Sequence, residues 1–162
     1  MRFILISILF IQALFGQYFG QNKVQYNEFD WNFIVSPNFN VYYYGDNHDL
    51  AIFTSKVAEE SLDQIGKHLR WRSQKPIKII VYTSHNDFQQ TNIVNVYMSE
   101  GIGGVTELYK NRIVIPFEGS YAQFKHVIHH ELVHAIINDM IYGGNVQGVL
   151  SGRILLQVPL WA

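Results

Sequence analysis

The sequence predicts an α+β domain in which a mixed β-sheet packs on two long helices, the second carrying a candidate reaction centre. Three observations lead there. Two segments repeat apolar residues at helical spacing over about twenty positions each. Short runs between and before them alternate, or are wholly apolar, as strands are. Aromatic residues, favoured in strands, make up 15% of the chain. The 162 residues suffice for one domain with a real core. A formal net charge of -1 gives no electrostatic reason to expect a nucleic-acid partner. With 48% hydrophobic and 15% charged residues, intrinsic disorder is excluded. The chain has no Cys, which removes disulfides, thiolate nucleophiles and Cys-ligated zinc together. Any metal must be held by His and carboxylate.

Residues 1–20 read as a secretory signal peptide. Arg2 gives a positive start, and Phe3 to Phe15 is apolar apart from Ser7 and Gln12. That stretch is too short to span a bilayer, which takes about 20 helical residues. Cleavage fits after Gly16 or after Gly20. Residues 21–162 then form the mature domain, with no transmembrane span. An exported chain without Cys fits a bacterial periplasm or cell envelope, or the medium beyond it.

Asn38 to Tyr44 alternates Phe39, Val41 and Tyr43 on one side, a strand pattern that Gly45-Asp46-Asn47 terminates. From about Asp49 to Leu69 the period becomes helical, with Phe53, Val57, Ala58, Leu62, Ile65 and Leu69 on one stripe. Trp71 to Lys75 is a loop. Pro76 opens the apolar run Ile77 to Tyr82, typical of an interior strand. Asn92 to Tyr97 and Arg112 to Ile115 are further strand candidates. Ser120, with Gln123 three residues on, signs a helix start that runs to about Tyr142, where Gly143-Gly144 stops it.

This last helix contains His130-Glu131-Leu132-Val133-His134, the His-Glu-x-x-His pattern. Residues four apart stack on one helix face, so both imidazoles can reach one ion about 2.0–2.1 Å from each nitrogen. Glu131 lies about 100° round the helix from His130, beside such an ion and placed to accept a proton from a water bound there. With 7 His and 7 Glu in the chain, the bare pattern arises by chance in roughly one such sequence per hundred. Val127, Ile128, Leu132, Val133, Ala135 and Ile136 supply the uncharged positions of a buried helix. A helix whose histidines merely hydrogen-bond in the core is the bland alternative, and an expensive one.

His126 is also four residues from His130, but only His130 with His134 brackets the Glu. His126 is expected to line the cleft one turn upstream, and His129 to pack or hydrogen-bond elsewhere. Asn138 and Asp139 are either partners of a ligand imidazole or a solvated helix end. A catalytic zinc normally has three protein ligands and one open position. No Glu follows Glu131, and Met140 stands where an elongated motif would put a third His.

Val127 to Ile136, the Gly101-Ile-Gly-Gly-Val-Thr-Glu107 segment, the Phe39-Asn-Val-Tyr-Tyr-Tyr44 strand and the final Pro159-Leu-Trp-Ala162 resemble the peptidase MA-like family of gluzincin metallopeptidases. The resemblance covers most of residues 21–162. It implies a zincin-like fold, Zn2+ as cofactor, His130 and His134 as ligands, Glu131 as catalytic base and a peptide or protein substrate. In that family Pro-x-Trp runs into a Glu-Gly pair whose Glu is the third ligand. The resemblance therefore implies a third ligand just beyond Ala162 and a chain truncated before the family's C-terminal helical part. It also brings the expectation of a downstream domain in the same polypeptide, often a Tol-type β-propeller. The glycine-rich segment matches the region where gluzincins keep a sheet edge over the cleft. A hairpin loop needing positive φ explains it equally. Tyr42, Tyr43 and Tyr44 are expected to be strand packing. The leading expectation is an exported zinc metallopeptidase. The alternative is a non-catalytic binding or assembly module with a degenerate metal site, serving a downstream domain. A closed structural zinc site comes third.

Overall fold

Alternating and apolar runs assemble a five-stranded sheet whose one face takes both long helices. The computed structural model describes residues 23, 25–73, 75–93, 101–107 and 110–142. In chain order the elements are β1 (Trp31–Val35), β2 (Phe39–Tyr44), α1 (His48–Leu69), β3 (Ile77–Tyr82), α2 (His85–Gln89), β4 (Val105–Glu107), β5 (Arg112–Pro116) and α3 (Tyr121–Tyr142). The sheet order is β1-β2-β3-β5-β4. Strands β2, β3 and β5 run parallel, and β1 and β4 flank them as antiparallel edges. The sheet is mixed and the class is α+β, as the sequence predicts.

The period of two sorts each strand between faces. Phe39, Val41 and Tyr43, Ile77, Ile79 and Val81, and Ile113 and Ile115 form one buried cluster with the helices. Helix α1 contributes Leu50, Ala51, Val57, Ala58 and Ile65 to it, and α3 contributes Phe124, Ile128, Leu132, Ala135 and Ile136. The two helices touch through Phe53, whose ring centroid lies 4.7 Å from that of Tyr121 and 6.4 Å from that of Phe124. On the opposite face Tyr82, Val114 and Phe88 of α2 make a smaller cluster, with Phe29, Tyr44 and Ile80 against it.

Helix α3 begins as its capping signature requires. The Gln123 N–H donates to Ser120 Oγ at 3.3 Å, and the Phe124 N–H to the Ser120 carbonyl at 2.9 Å. Its 22 residues run about 33 Å along the sheet.

Two elements were not foreseen. Strand β1 exposes Phe33 and Val35 at 60% and 69%, so its apolar side reads against the usual inward pattern. Helix α2 spans five residues, too few for a period, although Ser84 caps it by accepting the Asp87 N–H at 3.1 Å. The hairpin-loop reading of the glycine-rich segment also needs correction. Positive φ among the described glycines occurs at Gly45 and Gly119 and not at Gly101, Gly103 or Gly104. The strand candidate Asn92 to Tyr97 falls mostly outside the described residues, and its described part, Asn92-Ile93, is not in a strand. The signal peptide at residues 1–20, Gly143-Gly144 and Pro159-Leu-Trp-Ala162 lie outside them too. Among the described residues no helix is long and apolar enough to cross a membrane.

Candidate metal centre

The apolar stripe of α3 decides where its polar residues go. With Phe124, Ile128, Leu132, Ala135 and Ile136 turned into the core, steps of 100° leave His130 and His134 on the outer side. Both are exposed. Their Nε2 atoms stand 3.1 Å apart, with ring centroids 4.8 Å apart and planes at 76°. Two nitrogens bound tetrahedrally to one zinc at 2.0–2.1 Å would be separated by about 3.3 Å. The two imidazole nitrogens are thus within a few tenths of an ångström of the separation a chelating pair would have. The described residues include no group of three or more His, Asp or Glu able to hold an ion.

Glu131 sits between the core stripe and the histidine side, and is 7% exposed. A carboxylate buried to that degree needs a donor. Edge strand β4 brings one: Thr106 Oγ1 lies 2.7 Å from Glu131 Oε2 and 3.0 Å from the Glu131 carbonyl oxygen. The glycines ahead of β4 let it come this close. A Cβ on Gly104 would stand 2.9 Å from both Glu131 Cγ and Ile115 Cγ2, and 3.1 Å from Val127 Cγ1. Space, and not a left-handed backbone, is what Gly104 supplies. The segment is a sheet edge beside the motif, so of its two expected explanations the edge is the one observed.

The remaining candidates separate from the motif. His126 is exposed and His129 half-buried; the imidazole contact on α3 joins His130 to His134. Asp139 does not serve a ligand imidazole. Its Oδ2 accepts the Trp71 Nε1–H at 2.9 Å, tying the end of α3 to the loop after α1. Tyr43 is core. Tyr44 Oη donates to Asp87 Oδ2 at 2.7 Å and receives the Thr83 N–H at 2.9 Å. These tyrosines are strand packing, as expected.

A small cavity lined by Gly103, Pro116, Glu118, Phe124 and Val127 lies a turn upstream of the motif. Burial raises the pKa values of Tyr44 and Tyr82 on the far sheet face. Glu59 is pushed up by burial but held lower overall by hydrogen bonds from Ser36 and Asn38.

Thr106 and Gly104 are the site residues that the motif does not announce. Their roles depend on how β4 lies against α3, 25 positions away for Thr106 and Glu131, and nothing in the local sequence signals that. No family model, curated protein or solved structure matches the chain.

Proposed function

We propose that this chain belongs to an exported zinc metallopeptidase of the gluzincin kind. The observation that carries the reading is the pair of Nε2 atoms 3.1 Å apart beside a buried Glu131 at the edge of the sheet. In this reading His130 and His134 would hold the ion. When bound, zinc polarises the scissile carbonyl and lowers the pKa of a water molecule. Glu131 would act as the general base, taking up a proton on its carboxylate and returning one to the leaving amine. Among the described residues β4 pairs with β5 on one side only, and its other side can hydrogen-bond an extended peptide laid along it. His130 and His134 are open on the outer side of α3, and the substrate would be a peptide or protein segment able to extend. Export to a bacterial envelope and a further domain in the same polypeptide belong to the same proposal.

The test is Glu131→Gln in the full gene product. It should keep its zinc and lose roughly 100-fold or more in peptide hydrolysis. Unchanged turnover would refute the role of Glu131. The spacing of 3.1 Å also suits a hydrogen bond between neutral imidazoles, which favours the second reading, a non-catalytic binding or assembly module. That reading predicts no hydrolysis by the wild type at any zinc concentration.

A further inference from the structure

We infer that Thr106 is a positioning residue for Glu131: its hydroxyl holds carboxylate oxygen Oε2 and so fixes the direction of Oε1. The inference rests on the proposed role of Glu131. Thr106 Oγ1 is 2.7 Å from Oε2 and 3.0 Å from the Glu131 carbonyl oxygen. The shorter contact is the one to the side chain, and a hydroxyl donating to a carboxylate makes a strong hydrogen bond. No other hydrogen bond to this carboxylate is found among the described residues. A glutamate reaches its carboxylate through three rotatable bonds, so a single fixed oxygen sets the direction of the other.

The fold supports that contact from three sides. Thr106 pairs with Ile113 across the β4–β5 ladder. Ile113 belongs to the core under the helices, so Thr106 shares its face and is turned toward α3. The next pair, Glu107 with Arg112, carries a salt bridge between half-buried partners. That ion pair resists a slip of one residue, which would turn Thr106 to the far face of the sheet. Gly104 removes the side chain that would otherwise push β4 off Glu131 Cγ. The same short strand thus carries the proposed peptide edge and the clamp on the base.

The test compares Thr106→Val, which keeps the shape and loses the hydroxyl, with Thr106→Ser, which keeps the hydroxyl. In the zinc-saturated full gene product, Thr106→Val should lower kcat roughly 10- to 100-fold. KM should stay near the wild-type value, and Thr106→Ser should recover most of the rate. A Thr106→Val enzyme at the wild-type rate overturns the inference, as does a Thr106→Ser enzyme as slow as Thr106→Val. A second readout needs neither metal nor turnover. The chain has seven glutamates, and 13C labelling of their carboxyl carbons gives each a resonance, that of Glu131 being the one absent in Glu131→Gln. Thr106→Val should move that resonance and Thr106→Ser should leave it; an unmoved resonance overturns the inference. Thr106→Ala replaces Thr106→Val if the latter does not fold. A wild type that hydrolyses no peptide, with a resonance that moves, keeps the Thr106 contact and removes the peptidase reading. An active wild type with an unmoved resonance does the reverse.

Discussion

Helices α1 and α3 have the same length, 22 residues each, and lie side by side on the same face of the sheet. They differ in what they do with polar side chains. Helix α1 buries Thr54, Ser55 and Ser61, small groups that the helix itself can satisfy; Thr54 Oγ1 donates to the Leu50 carbonyl at 2.7 Å. Apart from the half-buried Glu59, its charges face water, as in the exposed Lys67–Asp63 pair. Helix α3 buries a carboxylate that only another element can satisfy, and sets two imidazoles against each other at its surface. The contrast separates a supporting helix from the one that carries the proposed site. Burying the Glu131 carboxylate would cost stability without the Thr106 hydroxyl that meets it.

The comparison can be broken first at what the helices share. Leu132 is fully buried beneath α3, and Leu132→Ala should cost about 2–5 kcal/mol in urea unfolding. Leu50→Ala in α1 should fall in the same range, because both residues fill one core. Lys67→Ala, on the exposed side of α1, should leave the midpoint unchanged. A tolerant Leu132 would mean that α3 is not seated as described.

Gly104→Ala sharpens the difference. The added Cβ meets Glu131 Cγ and Ile115 Cγ2 at 2.9 Å, so β4 or the base must shift. A loss of about 1–3 kcal/mol is expected by thermal unfolding, together with slower hydrolysis. The same substitution at Gly101, where a Cβ meets nothing within 4 Å, should do neither.

The smallest effect belongs to α1 and depends on pH. Glu59 accepts hydrogen bonds from Ser36 Oγ at 2.7 Å, the Asn38 N–H at 2.9 Å and Asn38 Nδ2 at 2.7 Å. Burial raises its pKa, but these donors outweigh burial and hold it below the ordinary value. A carboxylate with a lowered folded pKa stabilises the fold above its unfolded pKa, about 4.3. That stabilisation is lost as pH falls through the lower, folded value. Glu59→Gln should therefore flatten the fall in stability below about pH 4.3. An acid limb identical in wild type and variant would show that the β1–β2 turn is not tied to α1 through this carboxylate.

Much of this architecture was legible in the residues. The run Ile77 to Tyr82 became β3 with both bounds intact, and Ser120 capped the helix that carries the motif. These segments are legible because their period and caps are local properties. Strand β1 was not, because Trp31, Phe33 and Val35 turn an apolar side outward. Helix α2 is too short to show a period. At the site, His130, Glu131 and His134 could be read from their spacing, since one helix fixes all three. Thr106 could not, because a strand's lateral position against a helix is set by the whole sheet. At Gly104 two readings stayed open: a glycine announces freedom of φ and lack of bulk in the same letter, and only the neighbours of its α-carbon tell the two apart.

The most direct test of the central claim is the zinc affinity of wild type, His130→Ala, His134→Ala and Glu131→Gln, measured by chelator competition on the full gene product. If the two imidazoles hold the ion and the carboxylate acts beside it, each histidine variant loses about 100-fold or more in affinity, while Glu131→Gln stays near the wild-type value. Histidine variants that bind as the wild type does would contradict the account, because the ion would then sit elsewhere or nowhere.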